Sequence, residues 1–101
     1  MENNKTFTPE VIKSMLEKSN LAVERALVAI YDRQTLIEQR VNNTQYLNSE
    51  GFSVAHARRG SFYARWIISG RKLSGNHIDK GRNITLHYTK QLAEIANTRR
   101  N

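Results

Sequence analysis

The segment Leu21–Ile30 is apolar on more than one helical face, and it constrains the fold more than any other part of the chain. A helix of this kind is normally buried on several sides. The apolar stripe that continues through and beyond this segment at helical spacing consists of Val23, Leu27, Ile30, Ile37 and Val41. We therefore predict a long central helix that forms the hydrophobic core. Its polar side is predicted to face solvent, and consists of Arg33, Gln34, Glu38 and Arg40.

A shorter helix is predicted before this one. Thr8 is placed to cap its N-terminus, and Pro9 suits the first helical position, where the missing N–H costs nothing. The first helix should end near Ser19, and Asn20 is then free to cap the central helix. The polar residues from Asn42 to Gly51 predict a break after the central helix.

Two further helices are predicted in the second half. Ser53 can cap a short helical piece from Val54 to Arg59, and Gly60 is expected to separate it from a second piece between Phe62 and Ser69. Gly70 suits the left-handed position that ends a helix. Ser74 is predicted to cap a last helix, whose buried face consists of Ile78, Gly81, Thr85, Tyr88, Leu92 and Ile95. A strand from Ile84 to Tyr88 is the competing interpretation, but the longer register fits only the helical period.

These elements predict an all-α fold, a small bundle of about four helices in a single domain. The domain should span residues 8–97, between a flexible tail at 1–7 and a basic tail at 98–101. With 101 residues and no cysteine, the chain excludes a disulfide framework and a thiolate metal site. No apolar run is long enough for a signal peptide or a membrane span, so we expect a cytoplasmic protein without a membrane partner.

Charge is distributed unevenly along the chain. Residues 1–57 contain six Lys and Arg against seven Asp and Glu, whereas residues 58–101 contain ten against two. Solubility alone gives no reason to confine a positive charge to one half, whereas binding to a polyanion does. The net charge of +7 therefore points to nucleic acid as the partner.

The stretch from Ala57 to Lys72 alternates cations with large aromatic residues, which is what a surface for single-stranded nucleic acid requires. Phosphate contacts are predicted for Arg58, Arg59, Arg65, Arg71 and Lys72, with Lys80, Arg82 and Lys90 extending the track. Tyr63, Trp66 and Phe52 are the candidates for stacking on bases. Trp66 and Tyr63 are equally compatible with a place in the core, and the sequence leaves this open.

A second pattern is spread over residues 27–97. It comprises Tyr31-Asp32-Arg33-Gln34-Thr35, Glu38-Gln39, Asn48, Gly51-Phe52, Leu73-Ser74, Tyr88, Gln91-Leu92 and Ile95-Ala96-Asn97. This pattern resembles a short helical module of small phage and plasmid proteins, which is also attached to helicase-like DNA enzymes. The chain departs from it at His56, where an acid is expected, and at Asn76-His77, where a Lys-Gln pair is expected. The resemblance implies a setting in the DNA metabolism of a phage or mobile element.

No catalytic motif accompanies these residues. The histidines His56, His77 and His87 have no spacing that would make a metal or proton-transfer site, and the basic half offers only Asp79 and Glu94 as carboxylates. We therefore predict a non-catalytic protein without a cofactor, which binds DNA with a preference for single strands.

Two other functions remain open, as does the oligomeric state. A helix-turn-helix protein would insert the last helix into the major groove, with Asn76, His77, Lys80 and Arg82 near the bases. A phage-type inhibitor would instead bind a host protein complex that acts on nucleic acid. A homodimer would enlarge the small binding surface in each case.

Overall fold

A computed structural model describes residues 7–41 and 51–99, with the side chains of 7–34 and 51–98. Five α-helices occur in these ranges: α1 (Pro9–Lys18), α2 (Asn20–Val41), α3 (Val54–Ile68), α4 (Asn76–Thr85) and α5 (Thr89–Arg99). A 3-10 turn, Leu86–Tyr88, joins α4 directly to α5, so that the last two helices form one bent helical run. The described residues contain no strand, which confirms the predicted all-α bundle of about four helical units.

Helix α2 is the centre of the core, as predicted. It packs against each of the other four helices. The side chains of Val23, Leu27 and Ile30 are fully buried on it. Because aliphatic side chains at this spacing lie on one face, burying them places α2 at the middle of the bundle. The continuation of the stripe at Ile37 and Val41 lies outside the described side chains.

The ends of the first two helices follow local capping chemistry. The hydroxyl of Thr8 accepts a hydrogen bond of 3.2 Å from the N–H of Val11, as expected for the N-cap of α1. The predicted cap of α2 is wrong by one residue. Ser19, rather than Asn20, accepts from the N–H of Ala22 at 3.0 Å, so the two helices meet at a single serine.

Helix α3 runs through Gly60 without a break, and the prediction of two separate pieces is wrong. Gly60 is buried against the ring of Phe52, where a Cβ atom would lie 2.6 Å from Cε1 and Cζ. The glycine therefore allows the chain before α3 to fold back onto the helix. The end of α3 is as predicted: Gly70 has a φ of +101°, and the N–H of Arg71 donates to the carbonyl of Trp66 at 3.3 Å.

The segment before α3 is held by two buried amide side chains. The Oε1 atom of Gln34 accepts from the N–H of Phe52 at 2.9 Å. Gln91 accepts from the N–H of Gly51 at 2.7 Å and donates to its carbonyl at 3.3 Å. Gln34 is thus buried, and its predicted place on a solvated face is wrong. An amide was needed here because buried backbone groups that leave the helical ladder require a polar partner.

A buried carboxylate fixes the loop between α3 and α4. Oε2 of Glu24 accepts a hydrogen bond of 2.9 Å from the N–H of Leu73, and the Glu24 side chain is buried. Helix α4 then begins at Asn76, with Gly75 at the N-cap position and a φ of +56°. The predicted cap, Ser74, is therefore wrong: only its carbonyl is used, accepting from the N–H of His77 at 3.0 Å.

The last helical run buries the predicted face, with one deviation. Ile78, Gly81, Thr85, Leu92 and Ile95 are buried, whereas Tyr88 is half-buried in the 3-10 turn. The strand interpretation is wrong. The close packing expected at the glycine is present, since a Cβ atom on Gly81 would lie 3.1 Å from Cδ1 of Leu27.

The first described residue is hydrogen-bonded to the last helix. The side chain of Asn97 accepts from the N–H of Phe7 at 2.8 Å and donates to its carbonyl at 3.0 Å, which ties Phe7, the last residue of the predicted N-terminal tail, to α5. Helix α5 extends to Arg99, into the predicted basic tail. Residues 1–6, 42–50 and 100–101 lie outside the described part of the chain. Among the helices described, none has both the length and the apolar character that crossing a bilayer demands.

Candidate nucleic-acid interface

A concave basic surface lies between α3 and α4, and we call it the α3–α4 groove. It has a volume of about 690 Å³. Its lining consists of Ala55, His56, Arg58, Arg59, Phe62, Tyr63, Arg65, His77, Lys80 and Ile84. Five residues predicted as binding residues are therefore brought together here: Arg58, Arg59, Tyr63, Arg65 and Lys80.

The groove follows the exposed face of α3. Arg58 and Arg59 lie one helical turn before Phe62, and Arg65 lies one turn after it, so the four side chains share a face. All four are exposed. The ridge on α3 is thus a cationic stripe with an aromatic ring at its middle.

Helix α4 forms the other wall of the groove. Lys80 and His77 are exposed on it, and Nδ1 of His77 lies 3.2 Å from the hydroxyl of Tyr63 on α3. The rings of Tyr63 and His77 pack edge to face, with centroids 5.7 Å apart. This contact holds the two walls together at the bottom of the groove.

Two of the three predicted stacking residues are core residues. Phe52 is 1% exposed and Tyr63 is 3% exposed, so neither ring has a face available to a base. Tyr63 still lines the groove, and its hydroxyl contacts Nδ1 of His77. Both predictions fail for the same reason: aromatic rings at helical spacing fill the space between helices, where they bury far more apolar area than at the surface.

Trp66 is half-buried, and Arg71 is stacked on its ring. The guanidinium carbon of Arg71 lies 4.4 Å from the centre of its ring, and its Nε1–H donates to the carbonyl of Lys72 at 3.2 Å. The pair forms a cation–π contact at the C-terminal end of α3. Arg71 and Lys72 are exposed there, outside the lining of the groove, and Nζ of Lys72 lies 4.0 Å from Oε1 of Glu24.

Phe62 is an aromatic residue of the groove that is not among the stacking candidates predicted from the sequence. It is 49% exposed, and its ring centroid lies 6.0 Å from those of Tyr63 and Trp66. The exposure of Phe62 could have been predicted from a helical projection. Phe62 falls on the same face as Arg58, Arg59 and Arg65, which cannot all be buried.

Arg82 is a structural residue. Its Nε donates to the carbonyl of Leu16 at 2.7 Å, its Nη2 donates to the side chain of Asn20, and its Nη1 lies 3.6 Å from Oδ1 of Asp79. With its donors engaged on α1, α2 and α4, Arg82 is not placed to bind a phosphate as predicted. Lys90 is exposed on α5 and does not line the groove.

A second polar cluster adjoins one end of the groove. Nδ1 of His56 lies 2.7 Å from the hydroxyl of Tyr88, and the rings of His56 and His87 lie 4.9 Å apart. The same hydroxyl accepts from the N–H of Ser53 at 2.9 Å. Burial, and secondarily the neighbouring His87, lowers the pKa of His56 below its usual 6.5. The neutral form of His56 is therefore favoured near pH 7.

No group of three or more His, Asp or Glu residues within the described ranges is arranged to hold a metal ion. The comparisons with known proteins add no relative: no family model matches the chain, and neither do curated proteins or solved structures.

Proposed function

We propose that this protein is a non-catalytic DNA-binding accessory protein of a phage or mobile element, which holds the phosphate backbone in the α3–α4 groove. One observation carries the proposal. Four cationic side chains from two helices, Arg58, Arg59, Arg65 and Lys80, converge on one concave surface, and no acidic residue is among its described lining. The resemblance to phage and plasmid modules supports a role in a phage or mobile element, and the basic groove supports DNA as the partner.

The state of these cations favours an anionic ligand. None of the four forms an ion pair with an acidic side chain in the described part of the chain, whereas Lys72 and Arg82 do. Cations that are exposed and unpaired keep their hydration until a polyanion replaces it. Phosphate oxygens are well suited to do so, because guanidinium groups bind them in a bidentate geometry.

The number of cations sets the expected salt dependence. If about four phosphates are neutralised, the logarithm of the binding constant should fall with the logarithm of the salt concentration with a slope of roughly −3 for a single strand. The slope should be somewhat steeper for a duplex. Phosphate contacts alone carry little sequence information, so the proposed binding is largely independent of sequence.

The experiment is a fluorescence-anisotropy titration with a labelled 12-nucleotide single strand and a duplex of equal length, at two salt concentrations. The test variant is Arg58→Glu/Arg59→Glu. The control is Lys13→Glu/Arg25→Glu, which changes the net charge equally at exposed positions on α1 and α2. We expect at least a tenfold loss of affinity in the test variant, a loss below threefold in the control, and unchanged melting temperatures within a few degrees.

Two results would contradict the proposal. Equal losses in both variants would mean that net charge, and not the groove, attracts DNA. An absence of binding by the unmodified protein at low salt would exclude DNA as the partner, and would favour a host protein as the target of the basic surface.

A further inference from the structure

Phe62 is an unusual residue for the place it occupies. It is a large apolar side chain with 49% of its surface exposed, on the cationic face of α3. Isolated exposed apolar residues are common and need no explanation. Phe62, however, has arginines one turn away on both sides and lines a groove. The position combines a free aromatic ring with flanking phosphate ligands, which are the two components of a single-strand binding surface.

The spacing along α3 leaves room for a base between two arginines. Arg58 and Arg65 are seven residues apart, which corresponds to about 10 Å along a helix, and Phe62 lies between them. A strand that runs along this ridge can place phosphates against the arginines before and after the ring. The intervening base then faces the ring of Phe62.

The neighbouring rings support Phe62 and do not compete with it. Tyr63 is buried, and Arg71 already covers one face of Trp66. The Phe62 and Trp66 rings are tilted by 40° with centroids 6.0 Å apart, so Trp66 restricts the positions open to the Phe62 ring. Of these three rings, Phe62 therefore has the largest exposed fraction and the most surface available to a base.

From this arrangement we infer that Phe62 stacks on an unpaired base, and that the groove selects single-stranded DNA. The inference extends the proposed function and depends on it. The bases of a duplex are stacked on one another, and their faces are closed to a side chain on a helix surface. Phosphate contacts serve both forms of DNA, so the stacking contact is what distinguishes them.

The test measures the affinity of Phe62 variants for dT12 and for a 12-base-pair hairpin duplex. Phe62→Ala and Phe62→Leu remove the ring, the second while keeping an apolar side chain, and Phe62→Trp keeps a ring. The matched control is Ile68→Ala, which truncates a similarly exposed apolar residue on α3 outside the lining of the groove. Urea denaturation of each variant checks that the fold is retained.

We expect Phe62→Ala and Phe62→Leu to lose about 5-fold to 150-fold in affinity for dT12, which corresponds to one stacked base. Phe62→Trp and Ile68→Ala should stay within threefold of the unmodified protein. Duplex affinity and the salt slope should be unchanged in all four variants, because the phosphate contacts are intact.

The outcomes separate this inference from the proposed function. Undiminished dT12 binding by Phe62→Ala and Phe62→Leu would overturn the stacking role, while a loss in Arg58→Glu/Arg59→Glu would leave the groove as the binding site. An equal loss for dT12 and duplex would show that the ring shapes the groove without contacting a base, which also overturns the inference. An absence of DNA binding by the unmodified protein would overturn both.

Discussion

The ring of Phe52 occupies the space where position 60 would otherwise carry a side chain. A Cβ atom on Gly60 would lie 2.6 Å from two atoms of the ring, closer than any real contact. Phe52 is 1% exposed, so the ring is enclosed by the surrounding core. Residues 52 and 60 are thus interdependent, and the basic helix α3 is seated on the core through this contact.

Gly60→Ala should therefore destabilise the protein although it improves helix propensity. Alanine is favoured over glycine in a helix by about 1 kcal/mol. Overpacking a rigid ring costs about 1–3 kcal/mol and disturbs the start of α3 as well. The two terms together give a net fall of about 0–2 kcal/mol in the free energy of unfolding, and we expect about 1 kcal/mol, measured by urea denaturation. The control is the same Gly60→Ala substitution in a Phe52→Leu background. Alanine at position 60 should cost less stability there, because leucine is smaller than the phenylalanine ring. A variant as stable as the parent would show that the ring can move aside.

Lys80 and Arg82 provide a matched pair on α4. Lys80 lines the groove, whereas the guanidinium of Arg82 is bonded to Leu16 and Asn20. Lys80→Ala should reduce DNA affinity severalfold and lower the salt slope by about one unit, with little change in stability. Arg82→Ala should cost about 1–3 kcal/mol of stability, because it leaves the carbonyl of Leu16 without this partner.

Anisotropy titrations and urea denaturation of both variants test the distinction. Each substitution removes one positive charge, so net charge is controlled within the pair. The reverse pattern, with Arg82→Ala weakening binding at full stability, would restore Arg82 to the binding surface.

His56 predicts how stability depends on pH. Its pKa is lowered in the folded protein, first by burial and then by His87, while the unfolded chain has the ordinary value near 6.5. Below pH 6.5 the unfolded state therefore binds more protons than the folded state, and acid favours unfolding. The contribution of His56 is fully present above about pH 6.5 and is lost as the pH falls through the folded pKa.

We expect His56→Gln to lose less stability than the parent between pH 8 and pH 5, in urea denaturation at the two values. His77→Gln is the control, because His77 lies outside the cluster formed by Ser53, His56, His87 and Tyr88. Parallel losses in the parent and in His56→Gln would assign the acid sensitivity to other groups.

The fold was predictable from sequence to the extent that it depends on periodic burial. The stripe on α2, the cap at Thr8 and the left-handed position at Gly70 all follow from local chemistry. Gly60 was misread because a glycine in a helix indicates either a break or a close approach, and only the position of Phe52 decides between them. Gln34 was misread for a similar reason, since its partner, the N–H of Phe52, belongs to a distant segment.

The candidate site could likewise be predicted only in part from the sequence. The cationic face of α3 was evident because arginines cannot be buried together. Which aromatic ring is exposed was not evident, because Phe62, Tyr63 and Trp66 lie within about one helical turn. Their burial depends on the angle at which α3 meets α2 and α4, a tertiary quantity. Arg82 was assigned to the site because a contact to the carbonyl of Leu16, 66 positions away, has no local signature.

The pairing of Asn97 with the backbone of Phe7 has a topological consequence. Two hydrogen bonds join residues that are 90 positions apart, so the folded domain is nearly a closed ring. A short peptide linker between these positions would turn the chain into a true ring with little rearrangement of the fold. Circularisation would restrict the unfolded ensemble while leaving α3 and α4 in place, and the chain-entropy relation for a closed loop of this length sets its benefit at up to about 4.6 kcal/mol.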